Sequence, residues 1–120
     1  YIAPFCDHME LAYAVCDVAI ARSGASSLAE LSTHGIPSIL VPYPYATDDH
    51  QTLNALVYSE AGAAFLKKER ELNRSELTNV LCRLFDSDHE LYGEMSSAMR
   101  KMAVIDAAEN ICEQIQLNSK

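Results

Sequence analysis

Short apolar runs alternate with helical patterns along this chain, and that alternation restricts its fold more than any other feature. Val18-Ala19-Ile20-Ala21 and Ser38-Ile39-Leu40-Val41 are bounded by turn residues. Runs this short without polar alternation predict strands buried on both faces. Tyr1-Ile2-Ala3 and Ala63-Ala64-Phe65-Leu66 are weaker strand candidates. Between them, Met9 to Val15, Ser27 to Thr33 and His50 to Ala61 carry helical spacing. Strand alternating with helix at this interval predicts βαβ units and a parallel sheet, an α/β fold.

The punctuation agrees. Gly35 follows the second helix as a C-terminal cap, Pro37 precedes the next strand, and Gly62 closes the third helix. From Asn73 onward the pattern is helical only. Asn73 with Glu76, Ser87 with Glu90, and Asp106 with Glu109 have the capping-box spacing, and Leu77, Val80, Leu81 and Leu84 form an apolar face. Met95, Met99 and Met102 repeat at helical spacing and should pack the last helices together. Residues 1–72 are expected to carry the later βα units and residues 73–120 the closing helices of the same domain. Asn118-Ser119-Lys120 reads as a frayed end. A sheet starting at Tyr1 would leave an apolar strand unpaired at an edge, so the chain is expected to be the C-terminal portion of a longer protein.

Charge narrows the partners. The 120 residues hold 9 basic and 17 acidic side chains, a formal charge of −8. Residues 1–66 contain one base, Arg22, against seven acids. That balance argues against nucleic acid, which needs clustered Lys and Arg. Any phosphate bound by this half must be held by backbone N–H groups at a helix start, with Arg22 the sole side-chain cation at hand. No apolar run approaches the ~20 residues of a membrane-spanning helix, and the first residues lack the pattern of a secretory signal. Cys6, Cys16, Cys82 and Cys112 form no C-x-x-C pair and no zinc pattern. Cys16, Cys82 and Cys112 sit in apolar runs and read as buried thiols in a reducing compartment. No metal site and no cofactor are expected. His8, His34 and His89 read as surface residues, and Lys67-Lys68-Glu69-Arg70-Glu71 as a solvated turn.

Two segments could carry chemistry. Arg22 to Glu30 (Arg-Ser-Gly-Ala-Ser-Ser-Leu-Ala-Glu) follows the strand Val18–Ala21. Small residues there let a ligand approach the backbone, and the first helical turn would offer N–H groups to an anion. Parallel sheets bind ligands at the carboxyl ends of their strands. Glu30, one turn into the helix, could accept hydrogen bonds from a ribose diol. Ser27 to Glu30 is equally a capping box, S-x-x-E. The second segment, Pro42 to Ala55, leaves the next strand at the same edge. There Asp49, His50, Gln51 and Asn54 offer donors and acceptors suited to sugar hydroxyls, while Asp48 to Gln51 also fits a D-x-x-Q cap.

Together these segments closely resemble the MurG family of UDP-N-acetylglucosamine:N-acetylmuramyl-(pentapeptide) pyrophosphoryl-undecaprenol N-acetylglucosamine transferases. The resemblance rests on Arg22 to Leu31, Gly35 to Ala46 and Asp48 to Ala55, extends to Phe5–Met9 and Glu60–Ala64, and fades in the closing helices. It implies part of the Rossmann-like, C-terminal donor domain of a two-domain GT-B glycosyltransferase. The implied reaction moves N-acetylglucosamine from its UDP donor to lipid I, giving lipid II with inversion, at the cytoplasmic face of a bacterial membrane. Carried over by position, Ala25, Ser26, Ser27, Leu28, Ala29 and Glu30 would cradle diphosphate and ribose, with Glu30 on the ribose hydroxyls. Gln51 would bind the sugar with His50 close by, and the backbone of Cys6 would pair with the uracil edge. No catalytic base is implied here; it and the lipid I surface would belong to the N-terminal domain. Open alternatives are another UDP-sugar enzyme of this fold, such as a lipid glycosyltransferase or an epimerase, and a nucleotide-binding module without chemistry.

Overall fold

The computed structural model describes residues 2–118. Three strands form one parallel sheet in the order β1 (Ala19–Ala21), β2 (Ser38–Leu40), β3 (Ala64–Leu66), with Ile20 opposite Ile39 and Ile39 opposite Phe65. The helices are α1 (Met9–Ala14), α2 (Ala25–His34), α3 (His50–Glu60), α4 (Arg74–Leu84), α5 (Glu90–Lys101) and α6 (Ala107–Asn118), with 3-10 turns at Thr47–Asp49 and Glu69–Glu71. The α/β alternation read from the sequence is therefore present.

Gly35 ends α2 in the left-handed region (φ 66°), and the Ile36 N–H returns to the Leu31 carbonyl at 3.0 Å. A side chain at Gly35 would also collide with Arg100 at 2.5 Å. Gly62 closes α3 with φ 73°. Asn73 caps α4, its side chain accepting from the Glu76 N–H at 3.0 Å. One core cluster gathers Leu28 and Leu31 of α2, Leu40 of β2, Ala55 of α3 and Met99 of α5. The opposite face of the sheet meets Val80 of α4 through Ile39 and Val41. Full burial of each large apolar side chain contributes roughly 1.5–3 kcal/mol, so the first of these clusters anchors α2 firmly behind its exposed N-terminus.

Several expectations change. Only β2 is buried on both faces: Ile20 in β1 is half exposed, because the α4 cluster covers β2 and β3 without reaching it. Ile2 and Ala3 form no strand, and Tyr1 lies outside the described residues, as do Ser119 and Lys120. Cys82 and Cys112 are exposed and Cys16 half-buried. Cys82 falls off the Val80–Leu84 face of α4, and α6 buries no residue at all. The helix opening α5 is not capped by Ser87; His89 holds that position in a left-handed conformation. Met99 seats α5 on α2, with the Ser32 hydroxyl 3.7 Å from its sulfur.

Candidate functional site

The loops leaving β1 and β2 are tied together from within. Ser23, wholly buried, donates its hydroxyl to the Gln51 carbonyl at 2.7 Å, while its own carbonyl accepts from Asn54 Nδ2 at 3.1 Å. The Tyr43 N–H donates to Gln51 Oε1 at 3.0 Å. Arg22 extends the lacing: Nη1 donates to the carbonyls of Val41 (3.2 Å) and Pro42 (3.1 Å), and Nη2 to Glu69 at 3.0 Å. Its guanidinium also lies 5.6 Å from the centre of the Tyr43 ring. Arg22 thus serves the strand ends, and Glu69 is part of that lacing and not merely of a solvated turn. Lys67, half-buried, pairs with Glu76.

Gly24 is the N-cap of α2, with φ −70° and ψ 146°, a conformation open to any residue. A Cβ there would meet nothing within 4 Å. Neither backbone geometry nor packing demands glycine, and the bare backbone suits the close approach of a ligand. The Leu28 N–H donates to the Gly24 carbonyl at 3.0 Å, which fixes the first turn there and leaves Ser27 inside the helix. The S-x-x-E cap is consequently not formed. Helix geometry leaves the N–H groups of residues 24–27 without partners in their own helix, at the positive end of its dipole. Ala25, Ser26 and Ala29 are exposed, Ser27 is half-buried, and the Leu28 side chain belongs to the core. The D-x-x-Q cap is absent too. Asp48 and Asp49 adopt left-handed φ values of 52° and 53°, Asp49 accepts from the Thr52 hydroxyl at 2.6 Å, and Gln51 turns back to Tyr43.

Glu30 is exposed in the second turn of α2, and its Oε2 accepts from the Tyr13 hydroxyl at 2.6 Å. Burial pushes the Tyr13 phenol up to about 12, with the hydrogen bond and charge of Glu30 acting in the same direction. Tyr13 also stacks on half-buried His34.

The structure brings Ala25 to Glu30 together on one helix start. It joins them to Gln51, and to the helix start that carries His50, through the Ser23 and Asn54 bonds. Cys6 is exposed in the irregular stretch before α1, the helix whose Tyr13 bonds Glu30. Asn54, a candidate sugar contact by sequence, has its amide committed to Ser23. Tyr13 and Glu69 are the residues that sequence reasoning missed; no local spacing connects Tyr13 to Glu30 or Arg22 to Glu69. Among the described residues, no group of three or more His, Cys, Asp or Glu is placed to hold a metal ion.

A helix N-terminus at the carboxyl edge of a parallel sheet, with an acid one turn inside, suits an anion attached to a diol. The chain belongs to the family of glycosyltransferase family 28 C-terminal domains, whose model matches residues 1–111. It is 46% identical over 112 residues to the UDP-N-acetylglucosamine--N-acetylmuramyl-(pentapeptide) pyrophosphoryl-undecaprenol N-acetylglucosamine transferase of Shewanella sp. (strain MR-4), covering 93% of this chain and 31% of that protein. The transferase of the same name from Shewanella denitrificans is 45% identical, with 93% and 30% covered. The crystal structure of Acinetobacter baumannii MurG superposes with a TM-score of 0.86 at 32% identity, over 97% of this chain and 33% of that one. The fold is that of the Rossmann-like C-terminal domain of GT-B glycosyltransferases. The chain spans about a third of the length of the curated relatives it matches.

Proposed function

We propose that this chain is the donor-binding part of an inverting transferase that moves N-acetylglucosamine from UDP-N-acetylglucosamine to lipid I, forming lipid II. The observation that carries this reading is the open N-terminus of α2, with Gly24 bare at its cap and Glu30 held in its second turn. Amides of residues 24–27 would hold the diphosphate. As the glycosidic bond to phosphate breaks, negative charge builds on the departing UDP, and a fixed helix terminus stabilises it without reorganising. Glu30 would accept from the ribose hydroxyls, the Cys6 backbone would meet the uracil edge, and Gln51, with His50 beside it, the sugar. Ser26 and Ser27 would contribute backbone; Leu28, its N–H taken by Gly24 and its side chain in the core, would fix the turn that presents them, and the small side chain of exposed Ala29 would leave room beside it.

Residues 1–72 would then supply the ligand-bearing βα units, and residues 73–120 would brace them, since Met99 of α5 packs on α2. The acceptor, the general base and contact with the cytoplasmic face of the membrane belong to the remainder of such a transferase. No helix among the described residues is long and apolar enough to cross a membrane, which is compatible with a peripheral association. The relatives' names support the donor and acceptor chosen here.

The test is transfer by the full-length protein. With lipid I as acceptor, UDP-N-acetylglucosamine should outcompete UDP-glucose. Glu30→Gln, which removes a charge-assisted acceptor worth roughly 1.5–3 kcal/mol, should lower kcat/KM by about ten- to a hundredfold with unfolding unchanged. Equal use of both donors, or full activity in Glu30→Gln, would overturn the assignment.

A further inference from the structure

Tyr13 joins α1 to the acid-bearing face of α2 by two different contacts. Its hydroxyl donates to Glu30 Oε2 at 2.6 Å, and its ring stacks on His34 with centroids 5.3 Å apart and planes 28° apart. Glu30 and His34 stand one helical turn apart, so a single side chain reaches both. Helix α1 buries no residue fully, and its N-cap His8 makes no side-chain capping bond. Tyr13 and Cys16, both partly buried, are what pack this segment against the core. The stretch immediately before α1 carries Cys6.

We propose that Tyr13 is a positioning residue for nucleotide binding: its ring, stacked on His34, fixes the side chain, and its hydroxyl holds the Glu30 carboxylate ready for a ribose diol. The inference rests on the assignment of Glu30 to the ribose. A carboxylate offers about four lone-pair sites on its two oxygens. Tyr13 occupies one site on Oε2, leaving Oε1 and a second site on Oε2 for two neighbouring hydroxyls. An exposed glutamate otherwise samples many rotamers, and ordering it before the ligand arrives reduces the entropy lost on binding. The raised phenol keeps its proton throughout the neutral range, so the donor is constant.

Tyr13→Phe keeps the stacked ring and removes only the hydrogen bond. In the full-length protein, Tyr13→Phe, Glu30→Gln and the double variant should be titrated with UDP and with 2′,3′-dideoxy-UDP. Loss of one ordinary hydrogen bond predicts a UDP Kd raised about three- to tenfold in Tyr13→Phe. The dideoxy ligand should bind Tyr13→Phe and the parent protein alike, and Phe should add nothing in the Glu30→Gln background. Equal weakening of both ligands would mark Tyr13 as merely structural and overturn the proposal, and so would no weakening of UDP. The comparison is a ratio between two ligands on one folded protein, so a modest change in stability does not disturb it. If Glu30→Gln weakens UDP and Tyr13→Phe does not, the positioning role alone falls. If Glu30→Gln leaves UDP binding intact, the ribose assignment fails and takes the positioning role with it.

Discussion

Gly24→Asp separates the two readings of the α2 N-terminus because they predict opposite signs. The backbone there is extended and the space around a new Cβ is open, so the substitution introduces no strain. Aspartate is a better N-cap than glycine by a few tenths of a kcal/mol, and its charge against the helix dipole contributes about 0.3–1 kcal/mol. Stability should therefore rise slightly. A diphosphate at this helix end would instead face a like charge about 5 Å away. That costs about 0.8 kcal/mol per phosphate charge in bulk water and about 3 kcal/mol at an effective dielectric of about 20. With two charges on the diphosphate, UDP-sugar affinity should fall by at least about tenfold. Calorimetric titration gives the affinity and the urea midpoint gives the stability. Gly24→Asn supplies the neutral control, and the gap between the Asp and Asn variants should shrink as salt is added. A Gly24→Asp protein that binds UDP within about twofold of the parent would refute phosphate binding here, since even the bulk-water repulsion exceeds that.

Two further outcomes follow from the same geometry. Asn54→Ala removes the donor to the carbonyl of wholly buried Ser23, and should cost about 1–3 kcal/mol in urea unfolding with the slope unchanged; a loss below about 0.3 kcal/mol would mean the two strand-end loops do not depend on this bond. Tyr13, raised from 10.0 to about 12 by burial and by Glu30, contributes stability that is full below pH 10 and is lost as pH rises through 12. Ultraviolet titration of phenolate should show an ionisation near pH 12, and Tyr13→Phe should abolish that step.

Sequence periodicity revealed the elements that are defined locally. The apolar runs around Ile39 and Phe65, the glycines that close α2 and α3, and the Asn73 cap all depend on neighbours within a turn or two. The turn from β1 into α2 was legible because small residues stand between strand and helix there. The capping-box spacings at Ser27, Asp48 and Ser87 form no cap, because a first turn that already starts at Gly24, or left-handed backbone at Asp49 and His89, decides where the helix begins. Ile20 was misplaced for another reason: how far α4 extends across the sheet is not written in its segment, whereas Cys82 simply lies off the Val80–Leu84 face of α4. Contacts between distant positions, such as Tyr13 with Glu30 and Arg22 with Glu69, leave no periodic trace.

A crystal structure of the full-length protein with UDP-N-acetylglucosamine examines the nucleotide site without intermediaries. Phosphate oxygens should lie at ordinary hydrogen-bond distances, about 2.7–3.2 Å, from amide nitrogens among Gly24, Ala25, Ser26 and Ser27. Both ribose hydroxyls should rest on Glu30 while Tyr13 keeps its bond to Oε2. A donor seated away from this helix start, or a Glu30 that touches Tyr13 and no ribose, would contradict the account.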